Sequence, residues 1–453
     1  MKVKRPIFWD SFNFISLLLL PFSLLTIIFN FFKSLSLKKY FKIKTICVGN
    51  IYIGGTGKTP TSIFIANEFT KVGKKTAIIR KYYKGHDDEY CLIKKYFNNL
   101  IISKSRVIGL KEAEKYNLML PVDLGARGSC TIGGNISTNA GGNMVIKYGM
   151  MRDSVLGLEA VLADGQIVSS MNQMLKNNSG YDLKQLFIGT EGTLGFITRA
   201  VLRLRERPSS INTALVGLDS FEHVIKFLKY MDKGLGGNLS AYEVMWKNFY
   251  EVVTSSKSNH TPPLPLSSSY YVIVETMGAD QEKDSVLFEK LLETALESNI
   301  IQDAVVPHSE SERAKLWSIR DDVEQHYQNG PVKMFDVSMP VSYMERYVEE
   351  VNQNFAANWR EYKCVVFGHV GDGNLHIIGG VGSDDKKATK LMETCIYEPL
   401  KSIKGAISAE HGIGLEKKDY LEISRSEIEI NLMRTLKKAL DPNSILNPGK
   451  VFD

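Results

Sequence analysis

Cysteine is scarce in this chain, and its placement says more than its number. Cys47, Cys91, Cys130, Cys364 and Cys395 lie far apart and form no Cys-x-x-Cys pair. That spacing argues against a disulfide framework and a thiolate metal site, and for a reducing compartment. No zinc-finger or RNA-recognition signature is present, so no nucleic-acid partner is expected. Internal repeats and low-complexity tracts are absent as well. Acidic residues are sparse at the front: residues 1–106 hold 19 Lys+Arg against 5 Asp+Glu, a balance of +14. The whole chain carries only +6, so the remainder must carry −8. A basic front suits a membrane surface or phosphorylated ligands. What is present is ordinary for folded protein, with 44% hydrophobic and 23% charged residues. At 453 residues the chain is long enough for two or three domains with sizeable cores.

Two stretches organise the rest. Phe367-Gly368-His369-Val370-Gly371-Asp372-Gly373-Asn374-Leu375-His376 puts two imidazoles on either side of a Gly-Asp-Gly turn. Ser408-Ala409-Glu410-His411-Gly412-Ile413-Gly414 sets a carboxylate beside a third imidazole, with glycines that permit close backbone approach. His369, His376 and Glu410 make a ligand set for a divalent metal, zinc or manganese, with open positions. His411 is then a proton acceptor beside it. A single histidine is usually structural; four such residues inside two glycine-rich loops are a constellation.

At the front, Phe14–Phe32 is uncharged and about long enough to span a bilayer. Basic residues flank both sides, Pro21, Asn13 and Asn30 interrupt it, and an interfacial helix is a close alternative. No small-residue cleavage site follows, which argues against a signal peptide. Residues 1–40 are therefore expected to be an anchor helix on the cytoplasmic side of the inner membrane. Next, the β-type run Lys44–Asn50 leads into Gly54-Gly55-Thr56-Gly57-Lys58-Thr59, and Thr61–Lys71 reads as a helix. Strand, glycine loop and helix form a phosphate-binding context. Backbone N–H groups of Gly55 and Gly57 would hold the anion, Lys58 would add charge, and Thr59 would reach magnesium. The strict pattern fails at Tyr52, which stands where its first glycine belongs. Lys75–Arg80 reads as a second strand. Together with Arg80–Gly85 and Asp88-Glu89, residues 1–117 resemble the N-terminal part of tetraacyldisaccharide 4'-kinase, a membrane-bound, ATP- and magnesium-using kinase of lipid A synthesis. That family's Asp-Asp-Gly-Phe-Gln signature is absent.

The text changes near Tyr116–Leu118. Small residues crowd Gly128–Gly142, where backbone approaches something bulky. Tyr148-Gly149, the alternating strand Val155–Leu162, an Ala163-Asp164-Gly165 turn, the strand Gln166–Ser169 and Gly180–Thr198 follow. Residues 118–453 resemble the FAD-linked oxidases of the vanillyl-alcohol-oxidase type, the group of the D-lactate and D-2-hydroxyglutarate dehydrogenases and the glycolate oxidase subunit. The resemblance implies an α+β fold. A truncated FAD-binding α+β domain (118–207) would be followed by a FAD-linked oxidase C-terminal α+β cap (208–453). A partial phosphate-loop α/β segment (41–117) precedes both.

It also implies FAD held by Ser129, Gly133, Gly134, Asn135, Thr138, Asn139, Gly141, Gly142, Tyr148, Gly149, Ile197 and, from the tail, Asn447. Arg320 is similar to the arginine that binds the substrate carboxylate through a bidentate fork. Asn374 would bond substrate or orient a ligand, and Lys333 lies about one residue out of register with a lysine for a second carboxylate. The implied reaction oxidises a D-2-hydroxy acid and passes electrons to an electron-transfer flavoprotein, a quinone or a cytochrome. Family members carry an earlier subdomain whose glycine loop holds the FAD pyrophosphate, and the kinase-like segment stands in its place. The chain thus reads as a fusion of two truncated genes. Two or three missing contacts at roughly 1.5–3 kcal/mol each would weaken FAD binding by about two to six orders of magnitude. The competing readings are a lipid A kinase fragment and a non-catalytic fusion product.

Between these motifs, strand–helix alternation over 205–265 ends in a Thr261–Pro265 stretch that reads as a flexible linker. Tyr270–Thr276 and Val332–Pro340 read as strands, and Lys283–Ser298, Glu310–Gln328 and Ser426–Leu440 as helices.

Overall fold

The computed structural model describes residues 78–81, 100–103, 117–125, 130–255, 258 and 260–452. The chain divides after Asn117 into two compact units. Of the first, the described part is a parallel pair of strands, β1 (Ile78–Lys81) and β2 (Leu100–Ser103). The apolar stretch Phe14–Phe32 and the phosphate loop with Gly55, Gly57, Lys58 and Thr59 lie outside the described residues, as does Ser129. Among the described residues no helix is long and apolar enough to cross a membrane.

The second unit is α+β. Its smaller part starts with a short helix, α1 (Ile132–Ser137), which Thr131 caps by accepting the Gly134 N–H at 3.0 Å. Two single-turn helices, α2 (Val145–Tyr148) and α3 (Met151–Ser154), lead into β4 (Val155–Val161). β4 is the centre of an antiparallel three-stranded sheet with β5 (Ile167–Ser170) on one side and β6 (Phe196–Leu202) on the other. A two-residue pair, β3 (Leu118–Met119) with β7 (Arg205–Glu206), closes this part. Ile136, Met151, Leu158, Ala160 and Phe187 form its core.

The larger part is one antiparallel sheet of seven strands. Its order is β11 (Asp303–Val305), β8 (Ser210–Leu218), β10 (Tyr270–Gly278), β9 (Leu239–Trp246), β13 (Lys363–Gly368), β14 (Asn374–Gly380), β12 (Lys333–Ser338). Period-two alternation sends successive residues to opposite faces. On one face, Val244, Val274, Val366, Ile377 and Phe335 pack against the long helices Phe221–Leu235, Gln281–Glu297, Met344–Asn358 and Lys386–Ser402. On the other, Met245, Ile273, Phe367 and Ile378 meet the helices Lys247–Val253 and Glu310–Asp321. Each fully buried phenylalanine contributes roughly 2–3 kcal/mol of burial free energy. The same alternation places Glu243, Asp336 and His376 on that second face, because each stands between two residues whose side chains enter the first.

Two sequence expectations are corrected. Thr261–Pro265 is no flexible linker. Leu264 is buried, Tyr250 Oη bonds both its N–H (3.1 Å) and its carbonyl (3.2 Å), and Tyr271 Oη donates to the Pro265 carbonyl. The two tyrosine rings stack at 3.7 Å beneath it. The helix expected over Glu310–Gln328 stops at Asp321, because Asp322 adopts ψ 58° and turns its carboxylate to His260 at 2.9 Å. A 3-10 turn, Val323–Asn329, follows.

Candidate active site

Four neighbouring strands of the large sheet converge on one place. Register sets Asp336 opposite His376, Phe367 opposite His376, and Gly368 opposite Val244. At the end of β13 the chain turns through His369 and a 3-10 turn to Gly373, whose φ of +92° favours glycine, before β14 begins. A side chain at Gly373 would press on the Met339 carbonyl at 2.9 Å. That tight turn brings the His369 and His376 rings to 5.4 Å, nearly perpendicular.

Glu410 and His411 arrive from a loop without regular structure. Asp336, wholly buried, accepts the N–H groups of Ala409 (3.0 Å), Glu410 (2.9 Å) and His411 (2.9 Å), and the Ser408 hydroxyl (3.2 Å). Lys417 Nζ lies 3.8 Å away. Burial would raise the Asp336 pKa, but His376, His411, Lys417 and the N–H donors outweigh it and hold it at about 2. The structure thereby gathers His369, His376 and Glu410, one ligand atom from each lying within 4.8 Å of the others. His369 Nε2 is 3.7 Å from Glu410 Oε1. Burial raises the Glu410 pKa, partly offset by His369. Burial drives that of His376 well down, and His369 adds to it. Both shifts favour neutral groups when no cation is present, and a cation would compete with protons there. His376 Nδ1, Asp336 Oδ1 and both amide atoms of Asn374 are buried without a protein partner, so polar capacity remains for a ligand. His411 is half-exposed at the edge, its ring 6.0 Å from that of His376.

Arg320 reaches the site from the helix Glu310–Asp321 and is buried, although its Nη1 also comes 3.9 Å from the exposed Asp321 carboxylate. Its Nε donates to Glu243 Oε2 at 2.9 Å, and its Nη2 stands 3.5 Å from His369 Nε2. Glu243 Oε1 meets His369 Nδ1 at 2.5 Å. Burial would raise the Glu243 pKa; His369 and Arg320 reverse that and hold it at about 2. Lys333 is engaged elsewhere, with Glu393 at 2.7 Å and Glu416 at 3.1 Å.

The glycine-rich loop abuts the same place. Gly133 and Gly134 lie in α1, a Cβ on Gly133 would come 3.9 Å from the Ile197 carbonyl, and Asn135 is buried. Thr138 Oγ1 donates to the Gly134 carbonyl. Asn139, at φ +51°, accepts the Arg152 N–H at 2.9 Å. At Gly142 (φ +142°) a Cβ would fall 1.9 Å from the Asp123 carbonyl oxygen, and Gly149 (φ +76°) closes α2 behind Tyr148. A Cβ on Gly141 would stand 2.9 Å from Glu410 Oε1. Asn447 donates its side chain to the Glu191 carbonyl, while the Glu191 carboxylate accepts the N–H groups of Ile413 (2.6 Å) and Gly414 (2.8 Å). Sequence reasoning did not single out Glu191, Glu243 or Asp336. The available signal was a lone acid inside an apolar strand for the latter two, and an acid among glycines for the first.

A model of the family described as "FAD linked oxidases, C-terminal domain" matches residues 207–451, more than half of the chain. The chain belongs to the FAD-linked oxidases. A "FAD binding domain" model matches 110–170, and one for "Tetraacyldisaccharide-1-P 4'-kinase" matches 15–99. The chain is 39% identical over 342 residues to a "Probable D-2-hydroxyglutarate dehydrogenase, mitochondrial" of Oryza sativa subsp. indica, covering 75% of this chain and 60% of the relative. It is 40% identical to a "Putative D-lactate dehydrogenase C713.03, mitochondrial" of Schizosaccharomyces pombe (75% and 66%). A "D-2-hydroxyglutarate dehydrogenase" of Xanthomonas citri pv. viticola is 37% identical (75% and 72%). This FAD-linked oxidase thus spans about three-fifths of the length of the first of these relatives. Among solved structures, p-cresol methylhydroxylase has the same fold at 13% identity, with a TM-score of 0.59 over 87% of each chain. Alkyldihydroxyacetonephosphate synthase does so at 17% identity, with a TM-score of 0.54 over 75% of this chain and 61% of that one.

The expectation of a place on the cytoplasmic side of an inner membrane is overturned. Several relatives, those of rice, fission yeast and Arabidopsis thaliana among them, are named as mitochondrial proteins. Among the described residues no helix offers the length of apolar surface a bilayer core demands.

Proposed function

We propose that this FAD-linked oxidase oxidises a D-2-hydroxy acid of the lactate or 2-hydroxyglutarate kind. The gathering of His369, His376 and Glu410 beside buried Arg320 carries this reading. Bound at these residues, a divalent metal supplies a polarising positive charge and FAD supplies the hydride acceptor. The donor set suits zinc or manganese: two imidazoles and one carboxylate with positions left open. The loop Gly133–Gly142 with Ile197 is the surface offered to the flavin, its glycines packed closely against Thr131, Glu410 and Asp123.

The chain's own groups divide the remaining work. Arg320 offers guanidinium N–H groups to the substrate carboxylate from inside a low-dielectric site, where a charge-assisted pair is strong. Asn374, with both amide atoms unpartnered, bonds the substrate or a ligand. His411, held by its backbone to Asp336 but with its ring half-exposed, accepts the hydroxyl proton and passes it outward. Electrons leave to an acceptor such as an electron-transfer flavoprotein, a quinone or a cytochrome.

The test is reduction of an artificial dye by purified chain given D-lactate, D-2-hydroxyglutarate or glycolate, with flavin absorbance recorded on the same sample. Flavin-dependent turnover of one of these that falls by about 10²–10⁴-fold in His411→Ala supports the reading. Flavin-loaded protein inert toward all three sinks it.

A second reading concerns the first unit alone. The kinase-family match over 15–99 favours a phosphate-binding loop for ATP with magnesium around Lys58 and Thr59. Equal ATP binding by the wild type and Lys58→Ala would remove it.

A further inference from the structure

We propose that Glu243 is a positioning residue that fixes both the His369 ring and the Arg320 guanidinium for the site they share. The inference rests on the metal reading above and assigns a role to a residue 126 positions away in sequence from His369.

Glu243 lies in β9 between Tyr242 and Val244, whose side chains enter the helix-covered core, so its own projects from the opposite face. It is 1% exposed. Both carboxylate oxygens are committed: Oε1 to His369 Nδ1 at 2.5 Å and Oε2 to Arg320 Nε at 2.9 Å. An ionised carboxylate only accepts, so His369 must donate from Nδ1. In the neutral ring that a metal ion would select, the lone pair is then on Nε2, the atom that stands 3.7 Å from Glu410 Oε1. Without Glu243 the ring could flip or carry its proton on Nε2, and Nε2 would no longer be free to ligate. A carboxylate behind a ligating imidazole sets its tautomer and orientation and raises its basicity.

The second oxygen does a different job. Arg320 Nη2 comes within 3.5 Å of the same Nε2. Two groups that both favour electron pairs, a cation and a guanidinium, are thus brought to one side of the His369 ring. Holding Arg320 through Nε fixes the plane of the fork and keeps it beside the ion site rather than in it. One buried anion therefore sets the spacing between the atoms proposed for the metal and the group proposed for the substrate carboxylate. Arg320 also lies over the Phe367 ring at 5.0 Å, which fixes its other side.

The experiment uses the full chain stripped of metal and reloaded with Co²⁺, comparing wild type, His369→Ala, Glu243→Gln and Glu243→Ala. Co²⁺ affinity is read by chelator competition, the visible absorption band reports ligand geometry, and circular dichroism reports folding. The inference expects wild type to bind and His369→Ala to lose binding. Glu243→Gln keeps an acceptor oxygen in the same shape, so it should weaken Co²⁺ by about 10-fold with a shifted band. Glu243→Ala should weaken it by up to about 100-fold. A Glu243→Gln protein with wild-type affinity and an unchanged band overturns the positioning role and leaves the metal reading standing. Folded wild type that binds no Co²⁺ overturns both.

Discussion

The two halves of the site are held in place by different means. His369 directly follows β13, and His376 lies within β14, paired with β13 on one side and β12 on the other and flanked by core residues. Glu410 and His411 ride on an irregular loop held by two carboxylates: Asp336 collects four donors from residues 408–411, and Glu191 takes the next N–H groups, those of Ile413 and Gly414. The first arrangement spreads its stability over many apolar contacts, so no single change displaces it far. The second concentrates it in two charges, and for residues 408–411 in Asp336 alone. Removing the Asp336 charge leaves four part-buried donors unpaired at once.

The largest effect is therefore expected from Asp336→Ala. It should cost roughly 3–5 kcal/mol of stability, as breaking a buried ionic cluster does, measured by denaturant titration. Hydrogen exchange should show amides 409–411 losing protection while those of β13 and β14 keep theirs. Equal loss in both places would show that the halves are one cooperative unit and end the contrast. Next comes His369→Ala or His376→Ala. Each should weaken a bound divalent ion by more than about 100-fold, beyond the usual outer-shell effect, with stability changed by only about 1–2 kcal/mol. Equal metal content in mutants and wild type, from parallel preparations, would remove the ligand assignment.

Acid should act on the loop half. Asp336 has its pKa lowered in the fold from 3.8 to about 2. A lowered carboxylate contributes its stability above the unfolded value, and that contribution is lost as pH falls through the folded one. Between about pH 4 and pH 2 the wild type should lose on the order of 2 kcal/mol through this group. Asp336→Asn should lack that part of the slope, and parallel curves for the two proteins would count against the loop's dependence on charge. The smallest effect is assigned to Gly141→Ala. Its new methyl must push Glu410 aside, which at about 1 kcal/mol amounts to about a fivefold weaker ion. Unchanged affinity would mean the loop yields freely.

The sequence shows one half better than the other. His369, His376, Glu410 and His411 are legible because they sit in short, glycine-rich text where nothing else explains an imidazole. One central strand and one covering helix are legible too: the β-run Tyr270–Thr276 and the helical stretch Lys283–Ser298 appear as Tyr270–Gly278 and Gln281–Glu297. Glu243 and Asp336 are not legible, since an acid within Leu239–Trp246 or Lys333–Ser338 looks like the solvent-facing member of an alternating strand. Only strand order, which no local pattern encodes, turns that face inward and brings partners from 126 residues away. Thr261–Pro265 misleads for a related reason. Proline-rich text reads as loose, and the stacked tyrosines that pin it come from two other elements.

The close approach at Gly141 has a thermodynamic side. A Cβ on Gly141 would stand 2.9 Å from Glu410 Oε1, so on the reading proposed here a dinucleotide on one side and an ion on the other would press on a common wall. Whatever the first does to the affinity of the second, the second must do to the first by the same factor. Titrating flavin at fixed ion, and ion at fixed flavin, should therefore return a single number.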